Sequence, residues 1–181
     1  MDLSPVKREV LEALLFHEKP VKAVQVAQEA GKEARVVQMH LIGLVRMGYA
    51  RSPEKGAYLI SAEGKKALGL TEITKENATA ILSQKPNEKA FHFYAGIGKP
   101  LQVCASSLLD FCKKIEQVNS DSVEFHISRG DFEAWFKSLG DLELTKKIAL
   151  LKEKKLSGEE LRRKIQEIVQ GRCMELSKMV A

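Results

Sequence analysis

A polar stretch from Thr71 to Lys89, made largely of Thr, Asn, Gln and Lys and carrying Pro86, separates two regions of sustained apolar periodicity. No hydrophobic stripe runs through it, so the chain is expected to build two small cores rather than one. The boundaries that follow are residues 1–70 for the first domain, 71–89 for a linker holding at most a short helix, and 90–181 for the second domain. A composition that is 44% apolar and 29% charged argues against wholesale disorder. Uncharged stretches such as Val36 to Val45 are half the length of a membrane helix, which needs about 20 residues, so no membrane partner is expected. The opening Met1-Asp2-Leu3-Ser4-Pro5 has no basic segment leading into an apolar one, so no signal peptide is expected. Three cysteines, Cys104, Cys112 and Cys173, are an odd number outside any metal-binding spacing. Buried free thiols in a reducing, cytoplasmic setting are the expectation.

The first region reads as three helices, a hairpin and a last helix. Ser4 can cap and Pro5 suits a first helical turn, after which Val6, Val10, Leu11 and Leu14 share a face. Lys19-Pro20 interrupts that helix. A second, with Val21, Val24 and Ala27 inward, stops at Gly31, where glycine tolerates a left-handed cap. A third starts near Lys32 with Val37, Leu41, Leu44 and Val45 at helical spacing, and Gly48 ends it. Residues 49–51 and 57–60 alternate as short strands around Ser52-Pro53-Glu54-Lys55-Gly56, and Ser61 caps a helix running to Leu68.

This order resembles the winged helix-turn-helix family over residues 3–70. The stretches that carry it are Val26-Ala27-Gln28-Glu29-Ala30-Gly31, His40-Leu41-Ile42-Gly43-Leu44-Val45-Arg46-Met47-Gly48-Tyr49 and Tyr58-Leu59-Ile60-Ser61-Ala62-Glu63-Gly64. The resemblance implies a third helix that enters a major groove with its N-terminal half on base edges, and no catalytic residue. By position, Lys32, Glu33, Arg35, Gln38 and Met39 would face the groove. Arg35 suits guanine and Gln38 suits adenine, while Lys32 and Arg46 would reach phosphates and Arg51 and Lys55 extend the contact from the wing. Val36, Met39 and Ile42 make the helix apolar outside its core face, a pattern that also suits a protein interface.

Beyond residue 89, Ala90 to Tyr94 and Leu101 to Cys104 predict two short strands about a turn at Gly96–Pro100. Ser106 or Ser107 can cap a helix carrying Leu108, Phe111, Cys112 and Ile115, and Cys104 and Cys112, eight apart, are expected on one helical layer. Val123 to Ile127 alternates weakly. Asp131 is placed to cap a helix with Phe132, Trp135 and Phe136, Asp141 another with Leu144, Ile148 and Leu151. Ser157-Gly158-Glu159-Glu160 has the capping-box pattern and opens a long final helix whose stripe is Leu161, Ile165, Ile168, Val169, Cys173 and Leu176, broken at Arg172. Phe91-His92-Phe93-Tyr94, Ser107-Leu108-Leu109-Asp110-Phe111, Glu124-Phe125-His126 and Arg129-Gly130-Asp131-Phe132-Glu133-Ala134-Trp135 are together similar to a family of small, uncharacterised, mainly archaeal domains. That resemblance implies a domain and no activity. The predicted fold class is mainly α with small β elements, a winged helix-turn-helix followed by an α+β, mostly helical domain.

Enzyme signatures are thin. Gly96-x-Gly98 lacks the third glycine and long helix of a dinucleotide site, and no GxxxxGK[ST] phosphate loop exists. His17, His40, His92 and His126 have no ligand-spaced partner, so neither metal nor cofactor is expected. His126, Arg129 and Asp131 form the best candidate polar site, in which Arg129 could clamp a carboxylate or phosphate. The bland alternative has Asp131 capping a helix and Arg129 pairing with an acid, and is the expected one. The net charge of +5 distributes as +3 over residues 1–70, −3 over 71–144 and +5 over 145–181. Lys146, Lys147, Lys154, Lys155, Arg162 and Arg163 therefore offer a possible second basic surface. The function expected is a DNA-binding transcriptional regulator, dimeric through a long final helix, with the second domain for dimerisation or effector sensing. The alternative is a ribosome-, RNA- or RNA-polymerase-associated binding factor.

Overall fold

The sheet of the first half is closed by a two-residue strand, β1 (Val21–Lys22), that lies between the first and second helices. In the computed structural model, which describes residues 3–181, α1 (Pro5–Leu15) begins under a Ser4 cap with Pro5 at its first position, as expected. Residues 1 and 2, on which part of the signal-peptide reading rests, lie outside the described residues. After β1 come α2 (Ala23–Ala30), α3 (Ala34–Arg46), β2 (Ala50–Glu54), β3 (Ala57–Ile60) and α4 (Ala62–Ala67). The sheet order is β1-β3-β2, antiparallel throughout, with Val21 opposite Tyr58 and Ala50 opposite Ile60. Gly31 ends α2 at φ +62°, a left-handed cap that non-glycine residues rarely adopt. Val10, Leu11, Leu14, Val26, Val37, Leu41 and Leu44 form the core, each fully buried. Val24, expected inward, is 55% exposed instead, because β1 takes Val21 out of the helix and shifts the apolar face of α2 to Ala23, Val26 and Ala27.

The chain divides into two compact units at Glu72/Ile73. The second unit opens with α5 (Lys75–Leu82), which lies inside the segment read as linker and buries Ala78 and Ile81 in that unit's core. A short 3-10 turn (Asn87–Lys89) leads to the hairpin β4 (Phe91–Gly96) and β5 (Lys99–Ala105). Five helices follow: α6 (Leu108–Lys114), α7 (Ser120–Arg129), α8 (Asp131–Ser138), α9 (Leu142–Glu153) and α10 (Gly158–Val180). Helices hold 61% and strands 13% of the chain, a mainly α fold with small β elements. None of the described helices is long and apolar enough to cross a membrane.

Several local readings change. The weakly alternating Val123–Ile127 is the middle of α7, capped by Asn119, and its polar face is buried as well as its apolar one: Ser122 and His126 are 0% and 3% exposed. The capping box at Ser157 does not form; the Gly158 N–H donates to Glu124 instead, at 2.7 Å. Cys104 sits on β5 and Cys112 on α6, so they share no helical layer; Cys112 faces Cys173 of α10, whose side chain hydrogen-bonds it, and this contact with burial pushes the Cys112 thiol up.

A ring cluster holds the hairpin to the helices. Phe91 meets Phe93, Phe111, Phe132 and Trp135 with centroids 4.9–5.7 Å apart, mostly edge to face. The Trp135 indole N–H donates to the Lys89 carbonyl at 2.9 Å.

Arg172 does not interrupt the stripe of α10 but lies within its buried face. The guanidinium, 2% exposed, takes both oxygens of Asp141 at 2.8 and 3.0 Å and reaches Glu143 at 3.2 Å and Glu175 at 2.6 Å. Asp141, fully buried, also accepts from the Leu144 N–H and so caps α9. Burial alone would lower the Arg172 pKa, yet these carboxylates hold it above its ordinary value. The stripe residues Leu161, Ile165, Ile168, Val169, Cys173 and Leu176 are all buried within the unit, against α5, α6, α7 and α9. That face is used up within one chain and lends nothing to a two-fold partner.

Candidate nucleic-acid interface and a polar pocket

On the first unit, α3 presents to solvent what its core face excludes. Arg35, Met39, Ile42 and Arg46 are exposed, and Arg51 and Lys55 stand out from the β2–β3 hairpin. Arg35, Arg46 and Arg51 make no hydrogen bond or ion pair with another described residue, so their guanidinium groups are available. Two of the predicted contact residues are already engaged. The Lys32 ammonium pairs with Glu9 at 2.6 Å. The Gln38 side-chain amide donates to the Tyr58 hydroxyl at 3.1 Å and ties α3 to β3. Reading adenine needs a glutamine to donate and accept at once; with one amide hydrogen on Tyr58, the second hydrogen and the carbonyl oxygen are still free to do so. A groove of about 450 Å³ runs between α2, α3 and the hairpin tip, with Lys22, Val24, Arg35 and Met39 on its walls. Val24 and Met39, at 55% and 62% exposure, both line this groove, and Ile42, three residues beyond Met39 on α3, is 40% exposed.

The expected second basic surface is thinner than its sequence suggests. Lys147 is 3% exposed and pairs with Glu143 at 3.1 Å. Arg162 bonds Glu159 and the carbonyls of Glu116 and Val118, fastening α10 to the end of α6. Arg163 is exposed and 3.9 Å from Glu167, and Lys155 is exposed, while Lys146 and Lys154 are half-buried and have partners of their own.

His126, Arg129 and Asp131, in contrast, do come together. Ser122 and His126 are four apart on α7 and so share a face. That face meets Tyr94 on the outer edge of β4: Ser122 Oγ donates to the Tyr94 carbonyl at 2.8 Å, and the Tyr94 N–H donates to His126 Nε2 at 2.8 Å. A ring nitrogen that accepts cannot carry a proton, which fixes the neutral tautomer with its hydrogen on Nδ1. Nδ1–H then donates to Asp131 Oδ2 at 2.8 Å. Burial lowers the His126 pKa, Asp131 opposes this, and the Arg129 charge lowers it further. Both ring nitrogens are thus occupied, and the imidazole has no free site for proton transfer.

Asp131 does not cap α8, whose start is set by Gly130 at φ +77°. Its carboxylate turns back to His126 and to Arg129 Nε at 3.2 Å. Arg129 also lies over the Phe125 ring, 5.1 Å from the centroid, so two contacts orient it. These groups line one side of a pocket of about 420 Å³ whose other walls are the β4–β5 hairpin with Phe91, Tyr94 and Ile97. The sequence marked the three polar residues; the hairpin wall could have been suspected from Ile97, an apolar side chain placed in a Gly-x-Gly turn. Among the described residues, no group of three or more His, Cys, Asp or Glu is arranged to hold a metal ion.

No curated protein and no solved structure matches the chain. One family model does, over residues 68–170, which takes in α5, the hairpin and the helices up to the middle of α10. With more than half of its length matched, and with the match beginning upstream of the expected linker, the chain belongs to the family of unknown function DUF5752.

Proposed function

We propose that the first unit is a winged helix that binds double-stranded DNA, with α3 in the major groove and the β2–β3 hairpin as the wing, and that the protein is a cytoplasmic transcriptional regulator. The observation that carries this reading is the set of unpartnered cations, Arg35 and Arg46 on α3 and Arg51 on the hairpin, on the surface that the resemblance assigns to DNA. Such groups neutralise phosphates and release condensed counterions, so affinity is expected to fall steeply with salt. Arg35, near the N-terminal end of α3, is the residue for guanine readout, and Met39 is suited to a thymine methyl.

Fluorescence anisotropy of the full chain against a randomised duplex pool, followed by selection of bound sequences, tests this. A preferred sequence should emerge, Arg35→Ala should relax the preference at one position, and Arg51→Ala should weaken all duplexes alike. Loss of discrimination by about 1–3 kcal/mol is the expected size for Arg35. Equal, salt-independent binding to every duplex, or none, removes the reading.

A second reading rests on Val24, Met39 and Ile42, whose exposure suits docking on a ribonucleoprotein or on RNA polymerase. Under it, the protein co-sediments with ribosomal subunits or polymerase from nuclease-treated lysate, and Met39→Glu abolishes that association while leaving duplex binding unmeasurable in both.

A further inference from the structure

We propose that the pocket between α7 and the β4–β5 hairpin is a binding site for a small monocarboxylate with an apolar or aromatic body. The proposal is independent of what α3 binds. Four observations carry it.

The guanidinium of Arg129 is oriented but not used up. Its Nε is taken by Asp131 and its face by Phe125, while its two terminal nitrogens bond no described residue. A planar pair of donors held in one orientation matches the two oxygens of a carboxylate.

The charge of the site selects among anions. His126 is neutral, because Nε2 accepts from the Tyr94 N–H, and Asp131 offsets Arg129. One half-neutralised cation suits a single negative charge; a phosphate dianion would face Asp131 without a second cation.

The remaining walls are largely apolar. Phe91, Tyr94, Ile97 and Phe125 line the space together with His92, whose Nε2 is engaged by the Asn87 carbonyl at 2.9 Å, and its volume of about 420 Å³ lies within the range of small-molecule pockets, roughly 300–1,000 Å³.

Ile97, finally, is 84% exposed at the tip of a turn, where the fold gains nothing from an isoleucine. Its side chain stands on the pocket's rim and would be covered by a ligand lying against the hairpin.

The probe for the test is 1-naphthoate, with 1-naphthalenemethanol as its neutral counterpart and inorganic phosphate as the competing anion. The full chain is labelled with nitrogen-15 and its amide resonances followed through titrations into the low-millimolar range. Naphthoate should shift the amides of Gly96, Ile97, Gly98 and Arg129, and do so more tightly than the alcohol. Arg129→Gln should weaken it by about tenfold or more, equivalent to about 1.4 kcal/mol. Ile97→Glu, on a side chain too exposed to affect folding, should weaken it as well by placing a second carboxylate at the rim. Trp135 emission, unchanged in both variants, shows that the unit is folded. The proposal is overturned if naphthoate leaves these amides unmoved, if the alcohol or the Arg129→Gln protein binds equally well, or if phosphate competes at lower concentration than naphthoate.

Discussion

Replacing Arg172 by methionine tests how the second unit tolerates charge in its core. Methionine keeps much of the volume and the unbranched stem, so cavity formation adds little. What is lost is the cation between Asp141, Glu143 and Glu175. Glu175 is partly exposed and Glu143 keeps Lys147 at 3.1 Å, so both retain a solvent or a partner. Asp141 has neither: fully buried, it would keep only the Leu144 N–H of the contacts described. Removing one member of a buried pair costs about 3–5 kcal/mol, most of it from the charge left behind. With a urea dependence of roughly 2 kcal/mol per molar, the midpoint should fall by roughly 1.5–2.5 M. Trp135, the single tryptophan, lies in this unit, so its fluorescence reports this transition and not that of the first unit. The double variant Asp141→Asn, Arg172→Met should recover more than half of the loss, since an amide can still accept from the Leu144 N–H without leaving a charge. A midpoint shift of less than about 0.5 M in the single variant, or a double variant no better than the single, would refute the reasoning.

The remaining predictions concern His126 and Gly64. Because the pKa of His126 is lowered on folding, the unfolded chain binds the proton more readily; the stability linked to this residue is complete above its unfolded pKa of about 6.5 and is lost as pH falls through the folded value. Thermal melts should therefore show an extra decline on acidification that His126→Gln lacks, and an identical pH dependence in the two proteins would contradict the neutral assignment. At Gly64, in the first turn of α4, an added Cβ would lie 2.0 Å from the Tyr49 carbonyl oxygen, which accepts the Ser61 N–H at 3.1 Å. Gly64→Ala must push the helix away from Tyr49 and should cost about 1–3 kcal/mol; faster hydrogen exchange across residues 49–60 is the readout, and unchanged protection there would argue against the close approach.

Helices with a sustained apolar stripe were legible in the sequence: α1 from Ser4, Pro5 and the spacing of Val10, Leu11 and Leu14, α3 from Val37, Leu41 and Leu44, and α10 from its six-residue stripe. Two readings failed where a polar group does the work of an apolar one. In α7, Ser122 and His126 are inward because they serve a strand edge, so hydrophobic spacing alone leaves only the misleading alternation of Val123, Phe125 and Ile127. Arg172 reads as a break in a stripe because its partner Asp141 is 31 residues away in sequence. The segment 71–89 reads as linker because α5 spends only Ala78 and Ile81 on the core, too few apolar positions to show a period. Of the candidate site, the residue types were visible and their convergence was not: nothing in the spacing of Asp131 says that its side chain turns back to His126 instead of capping α8.

The bonding of Ser122 and His126 to Tyr94 has a consequence for how safely this hairpin can exist. Two strands alone are marginal in water, and an open strand edge is a template on which a second chain can pair. Here the flank of β4 is met by two side chains that satisfy, at its midpoint, the donor and acceptor an incoming strand would seek. A helix thereby performs the office of a third strand without extending the sheet. Loss of either side chain would reopen a docking edge next to Phe91 and Phe93, turning a local packing defect into a risk of self-association.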